Sequence, residues 1–292
     1  MRILVTGASG FSGSFVAREL ARSGRDVVAL HRTETPFLVR LSGQPRVHKH
    51  RGDLVDAARL PGPFDAVIHV AATSPAPGIG VDQIVRDNVT GTQALIEAAE
   101  RWAARAFVFF SSLSVYGEVA TGVVDEHTAI VNPDAYGASK YLGELLLAER
   151  AERLPGLAIR LPGVVGPGAH RNWLSGVARR LRAGETIRAF HLDAAFNNAA
   201  HIADLTALVA RVLERPWRGF DAIVVGARGQ ISVREAITRL AKGLGVEARI
   251  EETAAAKPLF TLSSERAISR WGYDPMEIGA MVDRYAAQVR AG

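Results

Sequence analysis

The chain of 292 residues is 48% hydrophobic and 22% charged, the balance of a folded protein with a sizeable core, and it contains no apolar run near the ~18 residues needed to span a bilayer. It has no cysteine, which excludes disulfides, thiolate nucleophiles and zinc–cysteine sites. The net charge of +5 comes from basic residues scattered among 30 acids, without a cluster, so neither nucleic acid nor membrane is expected as a partner.

The chain opens on a strand-like run, "RILVTG" at 2–7, with no features of a cleaved leader, and a cytoplasmic location is expected. A glycine-rich turn leads into a helical pattern at 11–23. "DVVALH" (26–31), "DAVIHVAA" (65–72) and "AFVFFSS" (106–112) are continuous apolar runs, as buried parallel strands require. Helical patterns fill 81–104 and 136–153, and "LAIRL" (157–161) and "DAIVVG" (221–226) add two more strands. Strand, helix, strand in this order predicts an α/β fold, a Rossmann doubly wound parallel sheet. After "GPGAHRN" the elements shorten. Residues 1–166 and 200–227 are therefore expected to form the dinucleotide-binding domain, and 167–199 and 228–292 a smaller substrate lobe.

"VTGASGFSG" spaces Gly7, Gly10 and Gly13 as G-x-x-G-x-x-G between a strand and a helix. Gly7 suits the sharp turn, Gly10 a close approach to a pyrophosphate, and Gly13 tight packing of helix on sheet. The helix start offers free N–H groups and partial positive charge to phosphates. At the end of the second strand an NAD site usually places an acid. Here His31 and Arg32 stand there, which favours a 2′-phosphate and so NADP(H), with NAD(H) as the alternative.

"AYGASKYLGE" (135–144) holds one of only four lysines in the chain. The i, i+4 spacing puts Tyr136 and Lys140 on one helix face. A phenol needs a neighbouring cation to ionise near neutrality, and an ammonium on a flexible stem serves better than a flat guanidinium. A hydroxyl at the end of the preceding strand would complete the set. Ser111, Ser112 and Ser114 all qualify on physical grounds.

The motifs "TGASGFSG", "GDL" (52–54), "VIHVAA" (67–72), "DNVTGT" (87–92), "SSLSVYG", "YGASK", "GPG" (166–168) and "HIADL" (201–205) occur in one order. Together they resemble the extended short-chain dehydrogenase/reductases, most closely the NAD(P)-dependent epimerase/dehydratase group acting on nucleotide sugars. The resemblance implies Ser112 as catalytic hydroxyl, Tyr136 as acid–base and Lys140 as its partner. It implies cofactor contacts from Phe11, Asp53, Leu54, Ala71, Ala72, Asn88 and Pro162, beside Gly7, Gly10, Gly13, His31 and Arg32. Substrate contacts are expected among Ser74, Ser114, Gly163 and Asn197, with Arg171 and Arg179, in "HRNW" and "ARRLR", as basic residues able to bind phosphates.

Three departures matter. Leu113 and Ser114 follow Ser112 where dehydratases of the group carry an acid pair. Gly163 replaces an asparagine, and Asn197 an arginine, that commonly touch the diphosphate. The expected function is hydride transfer at a carbon of a nucleotide sugar, of 4-epimerase or 4-ketoreductase type. The alternatives are an NADP-dependent reductase of a non-nucleotide carbonyl compound and a non-catalytic NADP-sensing regulator. The histidines show no metal-ligand spacing and no metal is expected. The helices near 81–104 and 136–153 are compatible with a homodimer seam.

Overall fold

The apolar runs read from the sequence become strands whose residues are mostly buried. They are β1 (Arg2–Thr6), β2 (Asp26–His31), β4 (Ala66–His69), β5 (Phe107–Ser112), β6 (Gly156–Leu161) and β7 (Phe220–Val224), joined by β3 (Val47–Arg51). The computed structural model describes residues 1–255 and 258–292. These form two compact units. The first comprises Met1–Glu118, Ile130–Arg160 and Thr206–Ile223, and the second Val119–Ala129, Leu161–Leu205 and Val224–Gly292.

The first unit carries a seven-stranded sheet in the order β7-β6-β5-β4-β1-β2-β3. Strands β3, β2, β1, β4 and β5 pair in parallel, with Ile3 opposite Val27 on one side and Ala66 on the other. The order reverses at β1, so the crevice beyond the carboxyl ends of β1 and β4 is where open α/β sheets take ligands. Helices α1 (Phe11–Arg22), α2 (Gly91–Arg101) and α3 (Ala135–Glu149) cover the sheet. One core of this unit joins Leu4, Val67, Leu95, Phe107 and Leu147.

The strand β3 carries no sequence signal. It reads "VHKHR", a polar edge strand with His48 and Lys49 exposed, and its anchor is the His48–Asp26 contact at 2.8 Å rather than burial. The helical pattern at 81–104 is also interrupted. A π-helical turn at Val85–Thr90 lies between Val81–Ile84 and α2, and it turns the consecutive Asp87 and Asn88 both inward.

The second unit packs helices 173–182, 233–244 and 278–291 around Leu174, Val177, Leu240, Met281 and Tyr285. Asn172 starts the first of these with a capping box closed by Ser175. Short strand pairs complete the unit, among them 199–201 with 163–165 and 261–262 with 123–124. Among the described residues no helix is long and apolar enough to cross a membrane.

Candidate active site

The end of β5 separates the three candidate serines. Ser111 is buried and donates to Glu144 Oε1. Ser112 faces the other way, accepts the Ser114 N–H at 3.1 Å and so caps the turn Leu113–Tyr116. Ser114 is exposed, and its hydroxyl meets Ser112 Oγ at 3.2 Å.

Helix α3 begins at Asp134, whose carboxylate accepts the Gly137 N–H at 2.7 Å. A Cβ on Gly137 would fall 2.0 Å from the Ser114 carbonyl oxygen, so only glycine lets this helix lie against the turn carrying Ser114. That approach brings Tyr136 to Ser112 and also to Ser74, in the loop after β4. Burial pushes the Tyr136 phenol above its usual pKa, against hydrogen bonds from Ser74 and Ser112 that pull it down, while Asp134 adds to the rise.

Lys140, one turn on, is 2% exposed, and its ammonium lies 4.1 Å from the centroid of the Phe109 ring. Burial pushes its pKa down to about 7, with Glu144 opposing. Glu144 is a further turn along the same face. It is bound by Arg160 of β6 through Nε at 3.1 Å and NH2 at 2.7 Å, and Arg160 NH1 donates to Tyr116 Oη at 2.9 Å. Beneath them His69 of β4 stacks on Phe109. Thr6 Oγ1 accepts the Val70 and Ala71 N–H groups, so its own proton goes to His69 Nδ1, and Nε2–H donates to Thr92. Burial, then the charge on Lys140, holds His69 well below its ordinary pKa, in keeping with a neutral ring.

The glycine loop is a cradle that side chains would fill. Gly7 has φ +70°, and a Cβ there would meet Ala71 N at 2.7 Å. A Cβ on Gly13 would come 2.2 Å from the Gly7 carbonyl oxygen. Helix α1 starts at Gly10 with no side-chain cap, and Phe11 opens its first turn. Where β2 ends, His31 Nδ1 is buried with no hydrogen-bond partner. An uncapped helix start, a glycine cradle and an orphaned ring nitrogen fit a dinucleotide, with the pyrophosphate over α1 and the adenosine toward β2.

Asn88 accepts the Thr73 N–H and donates to Thr73 O and to Ser139 Oγ, which ties the loop after β4 to the helix of Tyr136 and Lys140. Leu54 is buried in the core under Gly91. Ala71 packs on Gly7, and Ala72 is exposed. Arg32 does not stand free. It donates to Asp87 at 2.8 Å and lies 3.8 Å from Asp53.

The remaining expected residues belong to the second unit. Pro162 precedes the strand 163–165. A Cβ on Gly163 would touch Asn172 Cβ at 3.0 Å, and Asn172 itself donates to Val164 O. Asn197 is engaged at both ends of its amide by Leu262, donating to its carbonyl at 2.9 Å and accepting its N–H at 2.8 Å. Arg171 and Arg179 are exposed. Sequence reasoning assigned no role to Glu144, Arg160, His69, Thr73 or Asp87, although His69 and Asp87 lie inside the motifs "VIHVAA" and "DNVTGT" and Glu144 stands i, i+4 from Lys140.

The model of the NAD dependent epimerase/dehydratase family matches residues 3–226. The chain belongs to this family. It is similar to a dTDP-glucose 4,6-dehydratase of Streptomyces griseus, 39% identical over 49% of this chain and 48% of that protein. It is also similar to a D-erythronate dehydrogenase of Cupriavidus necator, 34% identical over 63% of each chain. The chain thus spans about half to two thirds of the length of these curated relatives. Among solved structures it resembles MoeE5 in complex with UDP-glucuronic acid and NAD, with a TM-score of 0.83 and 26% identity over 100% of this chain and 99% of that one.

Proposed function

We propose that the protein moves a hydride at a sugar carbon of a nucleotide sugar, as an epimerase or ketoreductase of the 4-position type, with Tyr136, Ser112 and Lys140 as its catalytic residues. One observation carries the reading: Tyr136 meets the hydroxyls of Ser74 and Ser112 at the carboxyl ends of β4 and β5, with Lys140 buried one turn along the same helix. The glycine cradle of Gly7, Gly10 and Gly13 would hold a nicotinamide dinucleotide, which would supply reversible hydride acceptance, and Arg32 is the residue on which an NADP(H) preference would rest.

The residues divide the proton work. Burial keeps Tyr136 protonated at neutral pH, so its Oη–H is ready to donate to a carbonyl oxygen. Ser112 Oγ donates to the same oxygen, orients it and stabilises its developing charge. The reverse direction returns the proton to Tyr136, whose pKa is set by burial, Ser74, Asp134 and Ser112, so the lowering by Lys140 that the spacing led us to expect is not seen. Sugar 4,6-dehydration is not proposed, although three of the similar curated proteins bear that name. It requires an acid pair beside the catalytic hydroxyl, and Leu113 and Ser114 occupy those positions.

The test is a UDP-sugar panel followed by NMR, with and without added dinucleotide. Interconversion or reduction at C4 is expected, and Tyr136→Phe should lose about 10³-fold or more in kcat while still binding dinucleotide. No redox chemistry with any sugar of the panel would remove the reading and favour the non-catalytic regulator. A second reading is reduction of a non-nucleotide carbonyl compound. It is supported by Asn197, whose amide is taken by Leu262, and by the missing side chain at Gly163. Absence of affinity for uridine, thymidine and guanosine diphosphates would favour it. Exposed Val81, Val85, Leu142 and Leu145 on the two helical segments support a homodimer, which sedimentation checks.

A further inference from the structure

The end of β2 presents a cation that a 2′-phosphate would seek, but the structure has already engaged it. Arg32 NH1 donates to Asp87 Oδ2 at 2.8 Å and lies 3.8 Å from Asp53 Oδ2, while NH2 reaches Thr73 Oγ1 at 3.4 Å. Asp87 is 5% exposed, on the inward π-helical turn. Its Oδ1 receives Arg86 Nε at 3.0 Å and NH2 at 2.9 Å, while the Thr73 hydroxyl donates at 2.5 Å to Oδ2, the oxygen that Arg32 also binds. Burial works to raise the Asp87 carboxyl, but the Thr73, Arg32 and Arg86 hydrogen bonds outweigh it and hold the group below its ordinary value, so it is ionised at neutral pH.

We infer that Asp87 is a specificity residue: by holding Arg32 it withholds the guanidinium from a ribose 2′-phosphate and sets a like charge beside it, so the chain takes NAD(H) over NADP(H). The inference rests on the dinucleotide reading above. A guanidinium recognises phosphate through two parallel N–H bonds from one edge, and here NH1 is given to Asp87 at 2.8 Å and NH2 reaches Thr73 at 3.4 Å, so the NH1–NH2 edge faces these two residues. Two carboxylates and two guanidiniums cancel, which leaves no surplus positive charge for a phosphate carrying about −2. Discrimination by a repulsive group is a general route to specificity. An unphosphorylated ribose meets hydrogen-bond acceptors instead of repulsion.

The experiment is fluorescence titration of the purified protein with NADH and with NADPH at one ionic strength, which reads binding without turnover. Wild type is expected to bind NADH at least about tenfold more tightly. Asp87→Asn releases Arg32 and should strengthen NADPH binding by about tenfold while changing NADH by less than about threefold. Asp53→Asn, at a more exposed position, is the fallback should the first variant not fold, and it should strengthen NADPH binding by about threefold. Equal or tighter NADPH binding by wild type would overturn the inference, as would a folded variant that shifts both dinucleotides together. Binding of neither by wild type would overturn the dinucleotide reading itself and this inference with it, an outcome distinct from a reversed preference.

Discussion

Replacing Lys140 by Met should abolish turnover and yet stabilise the fold. The ammonium is 2% exposed, and its pKa stands at about 7 instead of 10.5. The difference is roughly 3.5 units, and at about 1.36 kcal/mol each it is on the order of 5 kcal/mol against the folded state at low pH. Methionine keeps the volume but loses the contact with the Phe109 ring, an offset of about 1–2 kcal/mol. A net gain of about 3 kcal/mol remains. Between pH 7 and 10.5 the unfolded lysine holds a proton that the folded one has released, so wild-type stability rises with pH across this window. Below about 7 both states are protonated and the penalty is complete. The advantage of Lys140→Met should therefore be greatest near pH 6 and fade toward about pH 10.5. Urea unfolding of both proteins at a series of pH values measures it. A variant no more stable than wild type at about pH 6, or a gain independent of pH, would refute the reasoning. Such a stability cost at a functional position is a common trade-off.

Other consequences follow from single contacts. Gly13→Ala sets a methyl 2.2 Å from the Gly7 carbonyl oxygen, which is backbone and cannot move aside. It should destabilise by about 1–3 kcal/mol in thermal melts and weaken dinucleotide binding by about tenfold or more in titrations. Glu144→Gln leaves the buried Arg160 without its counter-charge, at a cost of about 3–5 kcal/mol in chemical denaturation. It also removes the charge that raises the Lys140 pKa, so the alkaline fall in activity should move to lower pH in a rate profile. Asp134→Ala removes the N-cap of α3, at about 1 kcal/mol of stability. Because Asp134 raises the Tyr136 pKa, its loss should also bring the phenol down, which ultraviolet titration of the tyrosines reads against Tyr136→Phe.

Much of this protein was legible in the residues alone because the relevant physics is local. Continuous apolar runs cannot sit anywhere but in a covered sheet, and six of the seven strands of the main sheet follow from them. The glycine spacing between strand and helix marks the cradle, and the i, i+4 step from Tyr136 to Lys140 sets one helix face. The hydroxyl was narrowed only to Ser111, Ser112 or Ser114 by physics. The alternation of β5 then sent Ser111 to Glu144 and Ser112 to the face of Tyr136.

What tertiary structure decided is longer in range. Arg32 and Asp87 are 55 residues apart, and only the packing of a π-helical turn beside the end of β2 makes them partners. Arg160 reaches Glu144 because β6 runs under α3, and Asn197 is taken by Leu262 at a separation of 65 residues. Residues 119–129 join the second unit, although the chain on both sides of them belongs to the first. Local spacing sets which side chains share a face. It cannot say which distant charge a buried group will meet, because that depends on sheet order and on the need of each buried polar atom for a partner.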